Sequence, residues 1–169
     1  MQIIETFSTS RLLAERLQFQ HLHELCRMHQ NQKVMTTLGG VRSDEETRLF
    51  IFNNLHHWQS YGFGLWVFRD KNNHQFVGRA GLRNTIVEGI NEVELAYALM
   101  DKFWGQGLAT EMGEQILKIG FELLKLKDIV CFTLTTNEAS QRVMEKLGFK
   151  YEREIIHANL PHLFYRLTV

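Results

Sequence analysis

Glu92-Val93-Glu94-Leu95-Ala96-Tyr97-Ala98-Leu99-Met100, and, after three further residues, Trp104-Gly105-Gln106-Gly107-Leu108-Ala109-Thr110, are the segments on which the fold turns. The first alternates and reads as a strand over residues 92–100. The second puts two glycines in front of a helical pattern. Leu108, Met112, Ile116, Ile119 and Leu123 fall on one face, which predicts a helix over residues 108–126. Residues 129–134 are β-branched and aromatic and read as the next strand. A strand–helix–strand crossover implies a right-handed, parallel pairing.

The flanks read as antiparallel hairpins around that pair. Residues 11–17 form a loosely patterned strand. Residues 20–30 form a helix with Leu22, Leu25, Cys26 and His29 on one side. Ser43 followed by Glu46 is a capping box, so a second helix runs from there to about residue 58. Residues 65–69 and 76–83 pair across the turn Asp70-Lys71-Asn72-Asn73. Residues 139–146 make a short helix stopped at Gly148. Residues 150–153 and 163–167 close the sheet. The predicted order is βααβββαβαββ, a mixed α/β (α+β) sheet with one parallel pair near its centre.

The glycine segment sits between a strand and a helix. Its glycines allow close backbone approach, and the following helix offers free N–H groups at its positive end, which suits a pyrophosphate. A plain loop that needs glycine for its turn is the competing reading. Two rival phosphate motifs fit less well. A P-loop requires Gly-Lys-Ser/Thr, but Leu108 follows Gly107. A dinucleotide fingerprint requires a third small residue where Thr110 stands and an acid at the end of the next strand, which here ends Thr135-Thr136-Asn137.

Four blocks together resemble the GNAT acetyltransferase superfamily, in its Rim-type branch that acetylates ribosomal-protein N-termini. They are Thr9-Ser10-Arg11-Leu12 with Arg16, Glu94-Leu95-Ala96-Tyr97-Ala98-Leu99, Trp104 to Glu111, and Asn137-Glu138-Ala139-Ser140 followed by Glu145-Lys146-Leu147-Gly148-Phe149. The tail His162-Leu163-Phe164-Tyr165-Arg166-Leu167 also fits, so the likeness runs nearly the full length. It implies one GNAT domain over residues 1–169, with a mostly antiparallel sheet, a splayed central parallel pair and flanking helices. It departs at Trp104, where the superfamily often has Gln or Arg; Trp104 is expected to pack rather than bind.

The resemblance implies an N-acetyltransferase with acetyl-CoA as cosubstrate and no metal. Leu99 and Met100 would contact the pantetheine arm, or the start of the pyrophosphate. Gly105, Gln106, Gly107, Leu108, Ala109 and Thr110 would hold the phosphates, and Asn137 would orient the arm. Transfer needs a neutral amine, a partner for the developing oxyanion and a proton for the thiolate. Deprotonation at pH 7 costs about 1–1.5 kcal/mol for an α-amine and roughly 4–5 for a lysine. Glu94 is the candidate base, with Glu92 on the same face as its backup. The other reading of Glu94 is a solvated strand carboxylate. Ser140 would stand near the departing sulfur; its other reading is helix capping. The strand's own N–H groups could polarise the thioester carbonyl. Tyr151 and Tyr165 do not stand where an acidic tyrosine is expected.

The acceptor implied is a protein N-terminal α-amine. A small amine (polyamine, amino sugar or amino acid) is the alternative, and a non-catalytic CoA-binding module belongs to a different class. The chain of 169 residues has 19 Lys plus Arg against 19 Asp plus Glu, so nothing marks a nucleic-acid binder. Cys26 and Cys131 form neither a disulfide framework nor a metal motif and are expected to be shielded free thiols. His21 and His23, and His56 and His57, lack the spacing that brings two histidines to one helix face. His157 and His162 fall in the C-terminal region that, by the resemblance, borders the acceptor cleft and could touch substrate; their other reading is surface solvation. Without a signal peptide or membrane-length run, a cytoplasmic monomer or homodimer is expected.

Overall fold

The computed structural model describes residues 3–169, whose strands join in one sheet. In chain order the strands are β1 (Thr6–Ser8), β2 (Leu12–Arg16), β3 (Leu65–Asp70), β4 (Phe76–Val87), β5 (Ile90–Leu99), β6 (Asp128–Leu134), β7 (Lys150–His157) and β8 (Leu160–Thr168). The helices are α1 (Leu22–His29), α2 (Gln32–Met35), α3 (Asp44–Tyr61), α4 (Leu108–Lys118) and α5 (Glu138–Lys146). The spatial order β1-β2-β3-β4-β5-β6-β8-β7 is antiparallel throughout except at β5–β6, the parallel pair that the crossover predicts.

That pair is barely a pair. It is registered only at Glu94↔Val130, whereas β4 and β5 stay in register from Gly78↔Leu99 to Val87↔Ile90. β6 instead follows β8 from Asp128↔Thr168 to Leu134↔His162. Beyond Glu94 the two strands therefore diverge, leaving a gap in the middle of the sheet.

Alternation on β5 divides the core. Val93, Leu95, Tyr97 and Leu99 pack with Met112 and Ile116 of α4. Ala96 packs with Leu25 and Ile51, and Ala98 with Met28 and Met35, on the side of α1, α2 and α3. Glu94 shares this second face by the same period of two.

Helix α3 starts as expected: Glu46 N–H donates to Ser43 Oγ and Ser43 N–H to Glu46 Oε1, both at 3.2 Å. It stops at Gly62 in the left-handed conformation. The helix expected over residues 108–126 does not continue as one α-helix. After Lys118 it widens into a π turn at Ile119–Leu123, where Leu124 N–H reaches Ile119 C=O. Here Gly120 lies against the sheet so closely that a Cβ would stand 2.7 Å from Ile129 Cδ1. Apolar periodicity does not report such a widened turn.

Elements β1 and α2, of 3 and 4 residues, escape the sequence reading because neither completes a recognisable period. The last two strands are longer than expected. A register shift between Tyr151 and Arg153 interrupts the alternation of β7. The strands join through Ala158 and Asn159, both at positive φ. Cys131 is buried and Cys26 half-buried, and both are free thiols, as expected. Among the described residues no helix is long and apolar enough to cross a membrane.

Arg166 fastens the closed end of the central pair. It donates to both carboxylate oxygens of Glu92 at 2.7 and 3.0 Å, and also to Asp128 and Glu152. Glu92, its side chain nearly buried, is thus committed to structure. Arg166→Met should cost about 2–4 kcal/mol, because a shielded carboxylate loses its bidentate partner. Urea denaturation would show this as a lower midpoint at unchanged slope.

Candidate active site

The loop ahead of α4 presents its backbone. Gly105 and Gly107 have φ of +73° and +76°, the left-handed region that glycine adopts without strain. A Cβ at Gly105 would meet nothing within 4 Å, so the loop is open outward. Gly107 is the N-cap of α4 and supplies no side-chain cap. The first intrahelical bond runs from Glu111 N–H to Gly107 C=O, which leaves the N–H groups of Leu108, Ala109 and Thr110 available. The Leu108 side chain is buried, so that residue can offer only its backbone.

The N-terminal segment braces this loop. Arg11 donates from Nη1 to Gln106 C=O at 2.8 Å and from Nε to Glu111 Oε1 at 2.8 Å. Thr9 Oγ1 holds the other carboxylate oxygen of Glu111 at 2.5 Å. The acid in the first turn of α4 is thereby matched by Arg11. A hollow lined by Arg11, Gly107, Thr110, Glu111, Glu114, Lys118 and Lys146 adjoins the loop, its cations set among two carboxylates, one of them paired with Arg11.

Trp104 differs from its expected packing role. It is 47% exposed and donates its indole N–H to Leu99 C=O at 3.0 Å. That carbonyl thus already carries one donor, while Met100 N–H is bonded to Val77 C=O at 2.8 Å. Met100 therefore turns its amide toward β4 and away from the gap.

Across the gap, Asn137 is the N-cap of α5 and accepts from Ser140 N–H at 3.1 Å. Capping thus falls to Asn137 rather than Ser140. The Ser140 hydroxyl instead meets Tyr97 Oη at 2.7 Å. Tyr97 is the tyrosine that the sequence reading passed over among site residues, although its place on β5 opposite the Asn137 block was visible. Burial pushes its phenol well above the ordinary range, so it stays protonated. Burial also pushes the Cys131 thiol up, and its Sγ donates to Leu95 C=O at 3.3 Å. Tyr151 is exposed, and Tyr165 lies beside Glu145, whose charge adds to burial in raising its phenol.

On the opposite face Glu94 is 3% exposed and is bonded to Arg83, its cross-strand partner, so it is not a solvated carboxylate. His157 and His162 stand together with ring centroids 5.4 Å apart, and His157 lies against Phe132 at 4.7 Å. Burial lowers the His157 pKa, with the Glu94 charge opposing, so at neutral pH its imidazole is neutral. Deeper in, Arg79 Nε–H donates to His29 Nε2 at 3.2 Å, and His29 Nδ1 contacts Thr47 Oγ1 at 2.9 Å. A ring nitrogen that accepts from a guanidinium belongs to a neutral imidazole. Burial, with Arg79 and Arg42 adding, pushes the His29 pKa down to about 3. Among the described residues no group of three or more His, Cys, Asp or Glu is placed to hold a metal ion.

The acetyltransferase (GNAT) domain family matches this chain over residues 11–150. The chain belongs to the GNAT acetyltransferase family. As a GNAT enzyme it is an acyltransferase that uses acetyl-CoA as donor. It is 30% identical over 132 residues to the uncharacterized protein YkkB of Bacillus subtilis, covering 78% of this chain and 77% of that one. Among solved structures it is similar to an acetyltransferase of Agrobacterium tumefaciens, at TM-score 0.86 and 21% identity over 100% of this chain and 97% of the other. It is also similar to a ribosomal-protein-S5-alanine acetyltransferase of Vibrio fischeri, at TM-score 0.79 and 18% identity over 96% of each chain. At such identities these two structures speak for the fold.

Two outcomes test this geometry. Gly107→Val forces a β-branched residue to φ +76°, a strain on the order of 1–3 kcal/mol. Calorimetry should show acetyl-CoA affinity falling about tenfold or more. The second concerns His29. Unfolded, it takes up a proton below about pH 6.5, whereas folded it stays neutral down to about 3. The unfolded state thus binds more protons across that window, so stability falls as pH drops through it, by at most about 1.4 kcal/mol per unit. Denaturation at pH 6.5, 5.5 and 4.5 should show a shallower decline in His29→Gln than in the parent.

Proposed function

We propose that this protein transfers an acetyl group from acetyl-CoA directly to a primary α-amine, in the manner of the Rim-type branch, with a protein N-terminus as acceptor. The observation that carries this reading is the gap between β5 and β6, open beyond Glu94↔Val130 and flanked at its mouth by the unpaired N–H groups that start α4. Acetyl-CoA, when bound, supplies an activated acyl group on a thiol leaving group. Gly105, Gln106, Gly107, Leu108, Ala109 and Thr110 hold its phosphates through backbone donors. Leu99, Met100 and Asn137 flank the arm, of which Asn137 has its amide nitrogen to offer because its oxygen caps α5.

The two faces of the sheet divide the proton chemistry. On the acceptor face Glu94 takes the amine's proton through water, with the neutral His157 beside it as relay. Its ion pair with Arg83 holds the carboxylate in place. An α-amine asks only a modest base of it, because deprotonation at pH 7 costs about 1–1.5 kcal/mol. On the α4 face Ser140 and the protonated Tyr97 form a short donor chain where the thiolate departs. Positioning of amine and thioester side by side contributes much of the rate.

Steady-state release of CoA with an N-terminal peptide tests the assignment. Glu94→Gln should lower kcat about 10²-fold or more while acetyl-CoA affinity stays within twofold. Tyr97→Phe should lower kcat at similar KM. Full activity in Glu94→Gln with a good acceptor would remove it from the base role.

A further inference from the structure

Three guanidinium groups converge on the acceptor face. Arg79 is 4% exposed, and its guanidinium lies 4.6 Å from the Phe50 ring centroid. Arg42, from the segment before α3, lies 5.3 Å from the same centroid. Arg83 stands four residues from Arg79 on the same face of β4, opposite Glu94, where β5 and β6 part. The three repel one another, and a guanidinium does not shed its proton in a protein.

The negative charge facing them is small. Glu94 is engaged by Arg83. Glu46 acts on Arg42 from a distance and is occupied in the capping box. Neither Arg79 nor Arg42 has a carboxylate within salt-bridge distance among the described residues. His29 and His157 are neutral and so add no further positive charge. A shielded cation without a counter-ion is costly, so its retention calls for a partner that arrives.

Arg79 is also aimed. His29, itself held by Thr47, fixes its Nε, and the two Nη nitrogens have no hydrogen-bond partner among the described residues. Neither is sealed away, since the only fully buried side-chain nitrogen or oxygen left unpartnered among the described residues is Arg16 Nε. A fixed Nε with a free Nη edge is the fork that grips a carboxylate in two-point fashion. The CoA phosphates do not account for it, because their loop opens at α4, across the sheet.

Resting on the acetyl-transfer reading above, we infer that Arg79 and Arg42 bind a carboxylate carried by the acceptor, so that the substrates are amines bearing a nearby acid (acidic N-terminal peptides or amino acids) and not polyamines.

Matched acceptors decide the matter: alanyl-glutamate against alanyl-glutaminamide, alanine against alaninamide, and spermidine. In the parent protein kcat/KM for the acids should exceed that for the amides at least tenfold, with spermidine below both. Arg79→Gln and Arg42→Gln should each bring the acid-to-amide ratio toward one through KM, with acetyl-CoA affinity within twofold. Equal rates for acid and amide, preference for spermidine, or loss of acetyl-CoA affinity with an unchanged ratio would each overturn the inference. If Arg79→Gln does not fold, Arg42→Gln carries the test. If no amine of any charge accelerates CoA release, the transferase reading fails by itself. Calorimetry on the CoA-loaded protein then still decides the carboxylate site. Heat on binding alanyl-glutamate but not its amide, lost in Arg42→Gln, supports it, and no difference between the two sinks it.

Discussion

The open centre of this sheet depends on how little β5 and β6 hold each other. Each is fully engaged on its far side, β5 with β4 and β6 with β8. Between them stands a single registered position, Glu94↔Val130. Arg166 clamps the closed end through Glu92 and Asp128, so divergence starts from a fixed point. The open end keeps unpaired strand backbone, which inside a sheet is tolerable only where water or a ligand can satisfy it. Helix α4 begins at that same end, so its free N–H groups and the free strand edge converge on one place.

The electrostatics follow the same geometry. On the α4 side the ionisable groups of the gap, Tyr97 and Cys131, are kept protonated by burial. On the other side burial and neighbouring arginines keep His29 and His157 neutral. Among the charged groups on that side Glu94 is paired with Arg83 and Glu92 with Arg166, while Arg79 and Arg42 have no carboxylate within salt-bridge distance among the described residues. The site thus resolves into a protonated half and a charged half, separated by the thickness of one sheet.

Much of this architecture is legible in the residues. The strand–helix–strand crossover is written in the alternation of residues 92–100 and the helical period that follows. The α3 start is written in Ser43 and Glu46, because a capping box depends only on local chemistry. The glycine loop is legible for the same reason. Other features depend on contacts distant in sequence and escape it. One is the π turn after Lys118, where Gly120 lies close against Ile129. The pairing of Tyr97 with Ser140 joins residues 43 positions apart. Ser140 could be read as a cap until the fold showed that Asn137 has that task. Glu94 looked like a strand carboxylate open to water, because nothing local announces that Arg83 lies across from it in β4.

The alternation of β5 has a longer consequence. Neighbouring residues of this one strand point into separate environments, one facing α4 and the other facing α1, α2 and α3. A substitution at residue 94, 96 or 98 alters the side of α1, α2 and α3 without disturbing the packing on α4, and one at 95, 97 or 99 does the reverse. On the proposed reading, the half that meets the amine can change by substitution while the half that handles the donor keeps its packing.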